Sequence, residues 1–436
     1  MHPLIRPAYA AAGRVAELAA ARIAVGPGKV RRSIVARKNV VHRFQHWARN
    51  FRDHSRPLIW LHAPSVGEGL QARPVLNALK AAHPQCQFVY TFFSPSAESF
   101  AATLEVDFRE VLPFDTTRSG KAIIDALRPA VIVFSKLDVW PNLVEEAHLR
   151  GIPTALISAT LAARSSRNSR LAALVLRDSY SMLSAVGAVS AADGARLVAL
   201  GCRSDAVRVT GDTRFDQVTG RASGITGARE LLDPLRSDRL TLVAGSTWPS
   251  DERVLLAALA DPRVRESGLR LIIAPHEPTP GHLAPIEQWA GEHGLRHARI
   301  SDSNAGVADV LVVDRLGVLG DLYALGDVAF VGGGFHAAGL HSVLEPAAYG
   351  APVLFGHQHA SSRDATLLVD AGAAREARDA EDIVVALCEW LGDPAARRSA
   401  GRSAQQVITD NSGATARTVA LIESIVPGVS PPGAGR

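Results

Sequence analysis

From residue 57 onward the chain alternates short unbroken apolar runs with stretches whose apolar residues recur every three or four positions. A run such as Leu58-Ile59-Trp60-Leu61 has no polar face. A strand of that kind must be covered on both sides, as in a parallel sheet flanked by helices. Strands are expected over 57–62, 87–91, 130–134, 153–157, 185–189 and 207–210, with a helix over 67–82 after the first. A polar interval at 212–216, followed by 220–227, reads as a hinge and linker near Asp212. The rhythm then restarts with strands over 240–244, 270–274, 310–313, 327–331 and 352–355. The pattern predicts the α/β class, with two Rossmann-like, doubly wound parallel-sheet domains facing a central cleft. Their expected limits are 57–215 and 216–394, between a basic segment over 1–56 and a C-terminal helix and frayed tail over 395–436.

Hydrophobic residues make up 47% of the 436 residues and charged residues 21%, which excludes a disordered chain or a fibrous repeat. The net charge of +4 is modest, yet ten lysines and arginines lie between Arg22 and Arg56, where Asp53 is the only acid. Such a face suits an anionic surface. It lacks the aromatic platform of single-strand binders, so nucleic acid is not an expected partner. The Ala-rich stretch 8–25 is broken by Arg14, Glu17 and Arg22 and falls short of the roughly 20 apolar residues of a spanning helix. It reads as an amphipathic helix on a membrane surface or as a solvated helix docked on its own domain. Cys86, Cys202 and Cys388 are too scattered for a disulfide framework or a zinc site, and point to a reducing compartment.

Ligands of open parallel sheets bind beyond the carboxyl ends of the strands. No GxGxxG, Walker lysine loop, GxSxG or HExxH motif stands there. The strand ends carry other loops. They are His62-Ala63-Pro64-Ser65-Val66-Gly67-Glu68, Lys136-Leu137-Asp138-Val139-Trp140-Pro141-Asn142, Gly245-Ser246-Thr247 and Pro275-His276-Glu277. A long Gly-rich stretch runs from Gly332 through Gly339, His341 and Ser342 to Glu345. Ser65-x-x-Glu68 and Ser342-x-x-Glu345 both have the form of a capping box, so each carboxylate has a structural reading beside a chemical one.

Ser-Val-Gly-Glu after one strand, Trp-Pro-Asn after another, Ala-Gly-Ser-Thr opening the second half and a Gly-rich loop ending in Leu-Glu-Pro-Ala-Ala occur in order. This set, over about residues 26–374, resembles the 3-deoxy-D-manno-octulosonic acid (Kdo) transferases. The resemblance implies a GT-B fold and an inverting glycosyltransferase that moves Kdo from CMP-Kdo to a lipid A precursor in lipopolysaccharide biosynthesis. It also implies peripheral attachment at the cytoplasmic face of the bacterial inner membrane. CMP-Kdo is then the donor substrate, with no cofactor and no metal. Glu68 takes the part of general base, which such a transfer needs to accept the acceptor's proton, and Asp138 keeps one catalytic carboxylate.

Gly245, Ser246, Thr247, His276, Gly339, His341, Ser342 and Glu345 become donor-binding candidates. Glu345 would meet the ribose hydroxyls, and the amides of 339–342 would meet the phosphate at a helix N-terminus. Ser65, Lys136 and Arg164 are candidates for acceptor or phosphate contacts. The chain departs from the family in two places. Lys136-Leu137-Asp138 stands where Glu-Thr-Glu is usual, and Ala274-Pro275-His276-Glu277 lacks the arginines of Pro-Arg-His-Pro-Glu-Arg. Lys136 reverses a charge, which leaves open an altered acceptor or a weakened enzyme and, with the missing arginines, a silent protein that binds nucleotide or lipid or scaffolds a partner. Glu68, Gly339 and Glu345 would fit another nucleotide sugar as well.

Overall fold

The computed structural model describes residues 9, 11–13, 15, 29–163, 165–224, 229–360 and 362–426. The chain divides into two compact units, Met1–Asp216 with Ser412–Arg436, and Gln217–Asn411. In the first, β1 (Leu58–His62), β2 (Gln87–Phe92), β3 (Phe108–Val111), β4 (Val131–Ser135), β5 (Thr154–Ala159), β6 (Ala185–Ala188) and β7 (Val207–Val209) form one sheet. Its order is β3-β2-β1-β4-β5-β6-β7, and every pairing is parallel. In the second unit β8 (Thr241–Thr247), β9 (Arg270–Pro275), β10 (His297–Arg299), β11 (Val310–Val312), β12 (Val328–Val331), β13 (Val353–Gly356) and β14 (Ala374–Ala377) follow in chain order. They assemble as β10-β11-β9-β8-β12-β13-β14, again all parallel.

Both faces of the second sheet are covered, as its unbroken apolar runs require. Leu242, Ala244, Leu271 and Ile273 enter one core, and their alternates Val243, Ile272 and Ala274 enter another. Sequence reading misses only β3, β10 and β14, and the reason is shared. All three are edge strands. Residues such as Arg109, Glu110, Arg299, Arg375 and Glu376 replace the apolar run with a partly exposed, charged one.

Three expectations are corrected. The hinge and linker expected at 212–216 and 220–227 is helical over Thr213–Ser223, and residues 225–228 lie outside the described residues. Its polar start is a cap: Asp212 Oδ1 accepts from the Arg214 amide at 3.0 Å, and Thr213 is buried with its hydroxyl donating to the Gln71 carbonyl at 2.7 Å. The single C-terminal helix is two, Pro394–Asn411 and Ala414–Glu423, one in each unit. Gly413, at φ 84°, breaks them in a conformation that glycine adopts without strain.

The third correction concerns the basic N-terminal face. Arg37 is buried, with its guanidinium 3.9 Å from the Phe93 ring centroid and donating to the Phe93 carbonyl at 2.7 Å. Burial pulls its pKa down to about 10. Arg43 pairs with Glu110 at 2.6 Å, and Arg52 and Arg56 donate to backbone carbonyls. Arg31, Arg32, Lys38 and Arg49 remain exposed. Most of the expected helix over 8–25 lies outside the described residues; Tyr9 is described and donates to Asp115 at 2.9 Å. No helix among the described residues is long and apolar enough to cross a membrane.

Candidate active site

Each sheet grows outward on both sides of its first strand; besides a further reversal at β11 in the second sheet, the strand order therefore reverses between β1 and β4 and between β8 and β12. These are topological switch points, where the loops after neighbouring strands part and leave room for a ligand. Of the segments singled out in the sequence, three follow β1, β4 and β12, Gly245-Ser246-Thr247 ends β8, and Pro275-His276-Glu277 leaves the neighbouring β9.

In the first unit, β1 ends at His62, and the helix Val66–Ala82 starts with Ser65 as its N-cap residue. Ser65 makes no side-chain capping bond. Its hydroxyl donates instead to Glu68 Oε2, so the capping box the sequence allows is not formed. Glu68 Oε1 accepts from Lys136 Nζ at 3.3 Å. Lys136 follows β4 and holds φ at 63°, a left-handed conformation that costs a non-glycine residue about 1–2 kcal/mol. Its amide donates to the Ile157 carbonyl at 2.8 Å, which fixes the turn that carries the ammonium to Glu68. The Glu68 side chain is 19% exposed and Lys136 41%. Burial pushes the Glu68 carboxyl up, but the Ser65 hydroxyl and the Lys136 ammonium outweigh it and hold the pKa below the usual value.

Asp138 lies two residues on. Its Oδ2 accepts from the Trp140 indole at 3.0 Å and lies 3.0 Å from His62 Nε2. His62 is buried, with Nδ1 2.9 Å from Thr91 Oγ1, and that oxygen accepts from the Trp60 indole at 2.9 Å. An ionised Asp138 can only accept, so the imidazole presents Nε2–H to it. Burial raises the Asp138 pKa, yet His62, Trp140 and the charge of Arg167 together hold it below the usual value.

Trp-Pro-Asn is thereby accounted for. The indole holds Asp138, Pro141 opens the helix Pro141–His148, and Asn142 anchors that helix to Asp115 through its amide at 2.9 Å and Nδ2 at 2.7 Å. Burial pushes the Asp115 pKa up to about 6. Arg164 lies outside the described residues.

In the second unit, Gly245 has no room for a side chain, because a Cβ there would lie 2.1 Å from the Tyr323 hydroxyl. Ser246 follows at φ 54°, and Thr247 donates to Glu252 at 2.8 Å. Trp248 caps the next helix, Pro249–Ala260. Asp251, fully buried, accepts from the amides of Trp248 at 2.8 Å, Gly333 at 2.7 Å and Phe335 at 2.9 Å. One carboxylate therefore fixes the Gly-rich loop to the end of β8. Trp248 stacks with His276 and His336, centroids 4.5 and 4.1 Å apart, and its indole donates to His341 Nε2 at 3.2 Å. Burial and the neighbouring imidazoles lower the His341 pKa.

The expected phosphate cradle is changed in detail. The helix after the loop is only Leu344–Ala348, its N-cap is Val343, and Ser342 is exposed and does not cap it. The amides of Gly339 and His341 already donate to His336 and Gly332. Of the stretch 339–342, Leu340 and Ser342 are the residues whose amides make no such bond among the described residues. Glu345 lies on this short helix, 3.8 Å from Arg221. Sequence reading missed the anchoring by Asp251, the Trp248–His336 stack and Arg221. The first had a signal, an acid three residues after a candidate cap; the others depend on contacts distant in sequence.

Residues 38–217 match the family model described as 3-deoxy-D-manno-octulosonic-acid transferase (kdotransferase). The 3-deoxy-D-manno-octulosonic acid transferase of Haemophilus influenzae is 27% identical over 377 residues, 84% of this chain and 86% of that protein. The Bordetella pertussis enzyme of the same name is 29% identical over 383 residues, with the same coverage, 84% and 86%. In fold, the chain is similar to the UDP-GlcNAc 2-epimerase of Neisseria meningitidis, with a TM-score of 0.63 and 13% identity over 84% of this chain and 99% of that one. With two seven-stranded parallel α/β units, the architecture is GT-B. The carboxylate after β1, the Trp-Pro-Asn turn after β4 and the matched relatives agree: this chain is similar to the 3-deoxy-D-manno-octulosonic acid transferases and is a glycosyltransferase.

Proposed function

We propose that the protein transfers Kdo, with inversion, from CMP-Kdo to a hydroxyl of a lipid A precursor. The observation that carries this reading is Glu68. Its carboxylate lies beyond the end of β1, is kept charged by Ser65 and Lys136, and serves no cap. Glu68 accepts the acceptor's proton as the new C–O bond forms at the anomeric carbon. The bond from that carbon to the CMP phosphate breaks, and CMP leaves with the electron pair. Lys136 faces the anionic side of the reacting groups, and Asp138, oriented by His62 and Trp140, accepts a hydrogen bond from the incoming sugar.

The second unit holds the donor. Glu345 accepts from the ribose hydroxyls, and the loop anchored by Asp251 supplies amides to the phosphate. The exposed Arg31, Arg32, Lys38 and Arg49, beside the exposed Val35 and Phe51, suit peripheral contact with anionic headgroups on the cytoplasmic side, where the lipid acceptor lies.

Lys136 also favours a second reading, in which the accepted hydroxyl belongs to a molecule carrying an anion close by. Incubating the protein with CMP-Kdo and either the lipid A precursor or a Kdo-bearing lipid, read by mass, tests both. Addition of Kdo to the first supports the main reading, addition to the second alone supports the other, and addition to neither contradicts both.

A further inference from the structure

We infer that Arg221 is a positioning residue of the donor site, holding Glu345 as an unblocked carboxylate ready for a vicinal diol. The inference rests on the proposed role of Glu345 as the ribose acceptor. Arg221 lies on the helix Thr213–Ser223 and is clamped from one side only. Its Nε donates to Asp321 Oδ1 at 2.8 Å and its Nη2 to Asp321 Oδ2 at 3.3 Å, with the Gly317 carbonyl at 3.4 Å. The guanidinium also needs the missing side chain of Gly320, since a Cβ there would meet Arg221 Cζ at 2.5 Å. From this cradle Nη1 reaches within 3.8 Å of Glu345 Oε1. That is too long for a hydrogen bond and short enough for a strong Coulomb contact.

The consequence for Glu345 is specific. Its charge is supported without its lone pairs being used, so they stay open to hydroxyl donors. The groups facing it are Arg221, Asp321, Tyr323 and Tyr349. Tyr323 is fully buried, and the Tyr349 hydroxyl is buried without a hydrogen-bond partner among the described residues. Burial raises the Glu345 pKa, Arg221 opposes that rise and the like charge of Asp321 adds to it. The net direction is upward, and Arg221 is the group that opposes it, so its loss should move the Glu345 pKa further up.

The test uses the full chain and the ratio of its affinities for CMP and 2′-deoxyCMP, because titration of phosphate and base cancels in that ratio. For the wild type, CMP should be preferred at pH 8 and at pH 6. For Arg221→Met the preference should persist at pH 8 and fall several-fold at pH 6, because loss of the opposite charge moves the Glu345 pKa further up. Arg221→Lys should restore it. A preference in Arg221→Met equal to the wild type's at both pH values overturns the inference, as does equal loss at both pH values in Met and Lys variants alike. If Arg221→Met does not fold, Arg221→Gln replaces it: it removes the charge while keeping a donor for Asp321. The same loss at pH 6 is expected, with a wild-type preference at both pH values overturning the inference. The underlying reading has its own arm: if Glu345→Ala keeps the wild-type ratio, the ribose assignment itself is wrong, whatever Arg221 does.

Discussion

Burial alone would leave the Glu68 carboxyl harder to ionise; the Ser65 hydroxyl and the Lys136 ammonium reverse that. The sign of the effect makes Lys136 testable. Lys136→Met removes a group that favours the charged form, so the Glu68 pKa rises and the acidic limb of the kcat/KM profile moves to higher pH. Turnover at pH 5 should then fall several-fold more than turnover at pH 8. A profile that keeps its acidic limb while losing rate uniformly would assign Lys136 to substrate contact alone. Ser65→Ala should move the limb the same way. It should lower the unfolding free energy by less than the roughly 1 kcal/mol usual for a lost N-cap, because Ser65 makes no capping bond. A full cap-sized loss of stability would restore the capping reading.

Among the elements, Asp251 and the Gly-rich loop stand or fall together. Asp251→Ala leaves the amides of Trp248, Gly333 and Phe335 without their acceptor, a loss of about 3 kcal/mol or more. A fall in the thermal midpoint of roughly 5–10 °C is expected, with CMP no longer protecting the variant. Protection equal to the wild type's would separate the loop from donor binding.

Most strands were legible because both faces of each central strand are covered, which writes an unbroken apolar run into the chain. The edge strands β3, β10 and β14 were not, since one uncovered side admits charge. Glu68 and Asp138 were legible as carboxylates after strands. Their partners were less so, because the bonds from Lys136 and His62 join residues 68 and 76 positions away in sequence. The capping boxes at Ser65 and Ser342 were legible and absent: in one the hydroxyl turns to the carboxylate, and in the other the helix starts later.

For the whole molecule, sequence reading grouped ten cations into one face, while folding spends Arg37, Arg43, Arg52 and Arg56 on carbonyls, an aromatic ring and Glu110. Among the described side chains of that segment, the exposed charge left for a membrane is Arg31, Arg32, Lys38 and Arg49. Reversing these four to Glu should abolish most binding to anionic vesicles, at about 1 kcal/mol per charge near the surface, and high salt should do the same to the wild type. Turnover on a water-soluble acceptor analogue should be spared. Arg37→Glu should instead lower the thermal midpoint, because it buries a carboxylate where a guanidinium stacks on Phe93. Vesicle binding that survives both the reversal and the salt would remove the surface from the account.

The central claim is that the carboxylate after β1 performs the transfer, and wild type and Glu68→Gln compared side by side test it most directly. Turnover of CMP-Kdo with the lipid A precursor is followed by product mass, and CMP affinity is measured on the same preparations. The account predicts turnover lower by on the order of 10²–10⁴-fold in Glu68→Gln, with CMP affinity unchanged. Near-normal turnover in Glu68→Gln would contradict it.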